Sequence, residues 1–271
     1  MERKWDIDFI NQKDFQDHVE KTISHYGEKL VPYDLSRFNS NLIDPIKLIF
    51  DKSVYNESWS ELISNEIFRQ RDKSQTNEIG YFHQRMFQYI KDCTVPKEGW
   101  DVIFSPRNGI VIEGERVSKI YVEMKNKHNT MNSSAAQKTY IKMSSMLLED
   151  DDCACFLVEA IAACSQNKAW TTTVDKRKVK HKRIRRVSID KFYEIVTGQE
   201  DAFLKICLAL PDVIKEVLLK RDDLKIPVDS VYNELKEMAE NFRNKVDEDT
   251  AMLMAMYMLG FSTYNGFLKN D

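Results

Sequence analysis

The segment from Cys153 to Ala162 is the feature that most restricts how this chain can fold. It reads Cys-Ala-Cys-Phe-Leu-Val-Glu-Ala-Ile-Ala, an almost continuous apolar run. Such runs are typical of strands covered on both faces, whereas a strand with one solvated face alternates apolar and polar residues. A helix from Asn132 or Ser133 to about Leu148 is predicted just before it, and an apolar strand precedes that helix. Strand, crossover helix and strand favour parallel pairing within one sheet.

The strand before that helix, Lys119–Asn126, carries Glu123 and Lys125 near its end. Successive side chains of a strand alternate between faces, so these two residues project to the same side. Asp101 opens another short strand and supplies a second carboxylate. Carboxylate oxygens hold hard divalent cations such as Mg²⁺, and a metal with a nearby lysine favours attack of water on a phosphodiester. The alternative is a solvated strand with a salt bridge, because Glu-x-Lys occurs by chance in many sequences.

Three short apolar segments predict an antiparallel meander. They are Asp101–Phe104, Ile110–Ile112 and Lys119–Asn126, and Asn108-Gly109 between the first two is the strongest short hairpin signal. A second turn is predicted at Glu113–Glu115. The meander would carry Asp101 on one strand and Glu123 with Lys125 on another.

Helical periodicity surrounds these strands. The predicted fold class is therefore α/β, a mixed sheet with an antiparallel meander flanked by helices, with helical N- and C-terminal parts. We predict three parts: an N-terminal helical part (1–75), a core with a basic segment (76–188) and a C-terminal helical part (189–271). The predicted helices run over Ile10–Tyr26, Leu42–Phe50, Ser58–Arg71, Asn77–Ile90, Asp190–Thr197, Asp201–Lys220, Ser230–Lys245 and Asp249–Leu268.

The composition excludes several classes of protein. Of the 271 residues, 42% are hydrophobic and 11% aromatic, which indicates a globular rather than a disordered chain. Apolar runs are too short for a membrane span and the first residues lack an apolar secretory core, so a cytoplasmic protein is expected. The five cysteines predict reduced core thiols, and Cys153-x-Cys155 lacks the second ligand cluster of a zinc site.

A basic segment follows the buried strand. Lys168–Arg186 holds nine basic residues against the single acid Asp175, although the whole chain has a net charge of -3. Lysine and arginine supply phosphate contacts, and guanidinium groups and hydroxyls also reach base edges. The segment therefore predicts a DNA-binding loop, with a merely solvated loop as the alternative.

The order of helix, meander with Asp and then Glu-x-Lys, helix and buried strand resembles the PD-(D/E)XK nuclease superfamily. The resemblance implies a restriction-endonuclease-like core for the mixed sheet. Trp100-Asp101 stands where Pro-Asp is typical, which matters little because the carboxylate is the group that coordinates a metal. A closer resemblance is to type II restriction endonucleases that read GGNCC or GGWCC sites, and it covers roughly residues 36 to 170. The blocks that carry it are Asn77–Gln84, Gly99–Val102, Val122–Asn132 and Ala163–Asn167.

The resemblance implies roles for particular residues. Asp101 and Glu123 would hold Mg²⁺, and Lys125 would orient water and stabilise the developing charge. Glu78 would be an auxiliary acid, or else an exposed glutamate favoured near a helix start. Lys127, His128 and Asn129 follow the strand of Glu123 and would approach the scissile phosphate. His128 could instead be a plain turn residue. Residues predicted to contact DNA phosphates or base edges are Ser165, Gln166, Asn167, Lys176, Arg177, Lys178, Arg183, Arg185 and Arg186.

We therefore predict a magnesium-dependent type II restriction endonuclease that cuts both strands of a short palindromic DNA site. A palindrome implies a two-fold symmetric reader, so a homodimer is expected. A cognate methyltransferase would act on the same site without needing to contact this protein. The alternatives are a repair or recombination nuclease on the same fold, and a non-catalytic DNA-binding protein.

Overall fold

The computed structural model describes residues 5–221, 227–243 and 246–262. They form two compact units: one comprises residues 5–24 and 78–221, and the other residues 25–77 with the described residues after 221. Across these residues, no helix is both long and apolar enough to cross a membrane. The three-part division at residues 75 and 188 stays a prediction.

Helices and strands follow one another in an order that begins and ends helical. The helices are α1 (Gln12–Lys29), α2 (Leu35–Asn39), α3 (Pro45–Tyr55), α4 (Trp59–Met86), α5 (Ser133–Glu149), α6 (Ile189–Thr197), α7 (Ala202–Leu218), α8 (Val231–Arg243) and α9 (Glu248–Phe261), with a 3₁₀ turn at Phe87–Tyr89. The strands are β1 (Cys93–Thr94), β2 (Val102–Phe104), β3 (Ile110–Ile112), β4 (Glu115–Val117), β5 (Lys119–Lys127), β6 (Cys153–Ile161), β7 (Asn167–Val174) and β8 (Arg177–Ser188).

A six-stranded mixed sheet forms the core of the first unit. Its strand order is β1-β2-β5-β6-β8-β7, in which β5, β6 and β8 are parallel and the outer pairs are antiparallel. The fold class predicted from the sequence is confirmed, as is the parallel pairing of β5 with β6 across helix α5.

Strand β6 is apolar along its length because both of its faces are covered. Ala154, Phe156 and Val158 belong to the larger hydrophobic core of this unit. Cys153, Cys155 and Leu157 face the opposite way and pack with buried residues of α5, including Tyr140, Met143 and Leu147. Helix α5 begins where predicted, since the side chain of Asn132 accepts a hydrogen bond from the backbone N–H of Ala135.

The predicted meander differs in its middle strand. Strand β2 pairs directly with β5, with Val102 opposite Val122, and β3 pairs only with β4 in a separate two-stranded hairpin. The turn predicted at Glu113–Glu115 is confirmed, since Glu113 and Gly114 both have positive φ, as a tight two-residue hairpin requires. The hairpin predicted at Asn108-Gly109 is wrong, because β2 pairs with β1 and β5 and not with β3.

Two helical predictions also differ from the structure. The segments Ser58–Arg71 and Asn77–Ile90 are parts of one helix, α4, because residues 72–76 contain neither Gly nor Pro to end it. Helix α7 continues past Pro211 as predicted. The predicted ends of the last two helices, at residues 244–245 and 263–268, lie outside the described residues.

The loop predicted for the basic segment is wrong. The segment forms an antiparallel pair of strands, β7 and β8. The two-residue turn between them is Asp175-Lys176, and both residues have positive φ. Asn-Gly or Asp-Gly would announce such a turn, whereas Asp-Lys does not. Pairing with β6 on one side and with β7 on the other therefore makes β8 part of the main sheet.

The second unit is a helical bundle with its own core. Buried residues from α2, α3, α4, α8 and α9 pack together there, among them Phe38, Leu48, Leu62, Leu235 and Met256.

Candidate active site

Asp101 is fixed at the entrance of β2 by the neighbouring strand. Its backbone N–H donates to the carbonyl oxygen of Val122 at 3.0 Å, and its Oδ2 accepts from the backbone N–H of Met124 at 2.7 Å. Both bonds reach β5, the strand that carries Glu123 and Lys125. The sheet thus brings together residues that are 22 positions apart in the chain.

Glu123 is bound by two ammonium groups. Lys125 Nζ lies 2.8 Å from Glu123 Oε1, on the same face of β5 as the sequence predicts. Lys142 Nζ, from helix α5, lies 2.8 Å from the other oxygen, Oε2. The Glu123 side chain retains 18% of its exposure, so both ion pairs are partly shielded from solvent.

Lys142 has two further contacts that hold it at the site. Its Nζ donates to the carbonyl oxygen of Gly99 and lies 4.2 Å from the centre of the Trp100 ring. A cation over an indole face is attracted by the ring electrons. Sequence reasoning missed Lys142, and the aromatic residue beside Asp101 was the only local sign that a cation approaches.

The two carboxylates differ in their affinity for protons. Burial raises the pKa of Asp101, and the negative charge of Glu123 raises it further against the hydrogen bond from Met124. Burial also acts to raise the pKa of Glu123, but the hydrogen bonds from Lys125 and Lys142 outweigh it, so that pKa is lowered.

The carboxylate oxygens of Asp101 and Glu123 fit the ligand preference of a magnesium ion. Among the described residues, no group of three or more His, Cys, Asp or Glu side chains is placed to hold a metal. Mg²⁺ does not need such a group, because it keeps several of its waters and is commonly held by one or two carboxylates together with substrate phosphate. Asp101 and Glu123 could hold it in that way.

The other residues predicted around this site lie on α4 and at the end of β5. Glu78 is half-buried on α4, two residues before Gly80. Gly80 packs closely against β5, because a Cβ added to it would lie 3.1 Å from the side-chain oxygen of Asn126. The three residues at and after the end of β5 are exposed: Lys127, His128 and Asn129. The backbone of His128 is fixed on both sides, by its N–H to Ile161 and by its carbonyl oxygen to Arg186.

A buried ion pair lies on the strands beside Lys125. Glu159 on β6 is opposite Lys125 in the parallel register and is wholly buried. Arg186 Nε on β8 donates to Glu159 Oε1 at 2.8 Å. Sequence reasoning missed Glu159, although a lone acid within an apolar strand covered on both faces is itself a sign of a buried partner.

The residues predicted to contact DNA fall into two groups. Lys176, Arg177 and Lys178 are exposed at the tip of the β7–β8 hairpin. The others contact other parts of the protein: Ser165 binds Asp190, Gln166 binds Ser188, Asn167 and Glu113 bind Arg185, Arg183 binds the carbonyl oxygen of Cys153, and Arg186 binds Glu159.

A six-stranded mixed sheet flanked by helices, with two carboxylates and a lysine on adjoining strands, defines the class as a restriction-endonuclease fold with a candidate nuclease site. Comparison with known proteins gives the family. The model of the Eco47II restriction endonuclease family matches residues 7–219, so the chain belongs to that family.

Two relatives match over most of their length. The type II restriction enzyme Sau96I of Staphylococcus aureus is 27% identical over 251 residues, which are 90% of this chain and 93% of that protein. The type II restriction enzyme Eco47II of Escherichia coli is 26% identical over 224 residues, which are 79% of this chain and 89% of that protein. The predicted class, a type II restriction endonuclease acting on double-stranded DNA, is thereby confirmed. Enzymes of this class generally use a divalent metal.

Proposed function

We propose that this endonuclease hydrolyses both strands of a short palindromic GGNCC- or GGWCC-like site in a Mg²⁺-dependent reaction at Asp101, Glu123 and Lys125. One observation carries the proposal. In a chain of this family, Asp101 is hydrogen-bonded to β5, the strand on which Glu123 and Lys125 form an ion pair. The blocks of sequence that resemble readers of GGNCC and GGWCC support the choice of site.

Each residue has a task that follows from its chemistry. Asp101 and Glu123 present oxygen ligands on adjoining strands, and the bond from Met124 fixes the orientation of Asp101. A Mg²⁺ ion bound there would supply Lewis-acid stabilisation of the negative charge on the phosphate. Lys125 orients the attacking water and stabilises the charge that develops as the new P–O bond forms and the old P–O bond breaks. Glu78 on α4 and the residues at and after the end of β5, Lys127, His128 and Asn129, are proposed to support the phosphate.

The basic hairpin supplies DNA contacts in this proposal. Lys176, Arg177 and Lys178 are exposed and would bind phosphates. Base edges would be read by members of the group that follows β6 or lies on β8: Ser165, Gln166, Asn167, Arg183, Arg185 and Arg186. A two-fold palindrome is read most simply by a homodimer with one active site per strand. The enzyme would work in the cytoplasm, beside a methyltransferase that protects the same site.

Digestion of plasmid DNA tests the proposal. We expect discrete fragments with Mg²⁺, none with EDTA, and the same GG/CC-flanked sequence at every sequenced end. Nicks or cutting of branched substrates alone would favour a repair nuclease, and a mobility shift without cleavage under any divalent metal would favour a binding protein. Either result would overturn the proposal.

A further inference from the structure

We propose that Lys142 occupies Glu123 in the DNA-free enzyme in place of a divalent metal, and that it moves to a DNA phosphate in the complex. Metal loading would then depend on DNA. This inference rests on the proposed metal ligands, Asp101 and Glu123.

The first support is the charge balance of the site. Asp101 and Glu123 are two negative groups, and Lys125 and Lys142 are two positive groups within reach of them. With both ammonium groups in place the four side chains sum to zero, which gives a dication little electrostatic attraction. If Lys142 leaves, the remaining three carry one negative charge.

The second support is the geometry of Glu123. Each of its oxygens already has an ammonium group at 2.8 Å. Lys125 extends from the same strand face as Glu123, and its side chain is 29% exposed. Lys142 instead reaches the carboxylate from α5 on a flexible side chain that is 39% exposed, so it can turn toward solvent or toward a phosphate.

The third support is the nature of the other contacts of Lys142. A backbone carbonyl oxygen at Gly99 and the face of Trp100 hold the ammonium group without carrying a formal charge. A phosphate anion can therefore compete for it. DNA bound at the site would take Lys142 from Glu123 and leave that carboxylate to the metal.

Titration of the DNA-free enzyme with Mn²⁺, followed by electron paramagnetic resonance, tests the first half. Lys142→Gln should bind Mn²⁺ more tightly by on the order of tenfold, because one positive charge beside the ion is removed. Lys142→Arg keeps the charge and should bind as weakly as the wild type. Lys138→Gln removes a charge from an exposed position on the same helix and should change the affinity much less. Mere disruption of the site would weaken binding, the opposite direction.

Equal Mn²⁺ affinity for Lys142→Gln and Lys138→Gln would overturn the inference. Asp101→Asn separates this failure from failure of the metal site itself. If Asp101→Asn, made in the Lys142→Gln protein, leaves Mn²⁺ binding unchanged, the assignment of the metal ligands is wrong.

Binding to the cognate duplex in EDTA tests the second half. If Lys142 reaches a phosphate, Lys142→Gln should reduce the slope of log K against log salt by about 0.9. An unchanged slope would mean that Lys142 stays on Glu123 in the complex, and the transfer to DNA would be refuted.

Discussion

At the scale of single residues, the site combines a carboxylate that resists ionisation with one that favours it. Asp101 is buried and close to Glu123, so its pKa is raised, whereas two lysines lower the pKa of Glu123. The lowered pKa of Glu123 favours its charged form beside Lys125 in the free enzyme. Under the proposed mechanism, removal of either member of that pair should alter the chemistry of the site more than its affinity for DNA.

We expect Glu123→Ala or Lys125→Ala to abolish cleavage while specific DNA binding stays within about one order of magnitude, because phosphate contacts elsewhere supply most of the affinity. Plasmid digestion and a filter-binding titration measure the two properties. Lys138→Ala, on the exposed side of α5, serves as the control. Normal cleavage by either active-site variant would remove that residue from the mechanism.

At the scale of elements, β8 lies in two different environments along its length. Its first residues form the exposed basic tip with β7, and its later residues pair with β6 inside the sheet. Basic residues of the same short segment therefore face different environments, and their substitution should have different consequences.

Neutralising Lys176, Arg177 and Lys178 together should weaken DNA binding and flatten its salt dependence, by roughly 0.9 in the log–log slope for each phosphate that the variant no longer binds. Fluorescence anisotropy at a series of salt concentrations measures this. Neutralising three exposed lysines of α1 and α7, Lys13, Lys21 and Lys215, gives the same change in net charge. If both triple variants have the same slope, the hairpin tip does not bind DNA.

Arg186 should act on stability. Arg186→Met leaves the carboxylate of Glu159 buried without its cation, and we expect a loss of about 3–5 kcal/mol in the free energy of unfolding. The double variant Arg186→Met with Glu159→Leu should recover most of that loss, since no buried charge remains. Urea denaturation measures both, with Lys178→Met as an exposed control. A loss below about 1 kcal/mol for the single variant would refute a stabilising role for the pair.

At the scale of the whole molecule, the free energy of unfolding should depend on pH through a histidine that is distant in sequence from Asp101, Glu123 and Lys125. His18 on α1 is buried, and its Nε2 lies 3.0 Å from the carbonyl oxygen of Phe82. Burial lowers the pKa of His18 from 6.5 to about 4. Its neutral form is thus favoured in the folded protein, and its contribution is fully present above pH 6.5.

As pH falls from 6.5 to about 4, the unfolded chain gains a proton at His18 that the folded protein does not, so stability falls. The expected contribution is roughly 3 kcal/mol over that interval. Urea denaturation at pH 7 and pH 5 should show a larger loss for the wild type than for His18→Gln. The exposed His128 provides the matched control, His128→Gln. Equal pH dependence of the wild type and His18→Gln would contradict the assignment.

The sequence by itself determined the features that depend on local pattern. The apolar run of β6 predicted a strand covered on both faces, the cap at Asn132 predicted the start of α5, and alternation along β5 put Glu123 and Lys125 on one side. These signals come from side chains a few residues apart. The strand positions of Asp101, Glu123 and Lys125 could therefore be predicted without a structure.

Only the tertiary structure decided which distant segments meet. Strand β2 pairs with β5 and not with β3, and the basic segment forms a hairpin around a turn that lacks the usual glycine. The tertiary structure also decided two ion pairs. Lys142 contacts Glu123 from 19 positions away in the chain, and Arg186 contacts Glu159 from 27 positions away. Contacts between residues so far apart in the chain depend on how whole helices and strands pack together. The periodicity within one segment does not predict that packing.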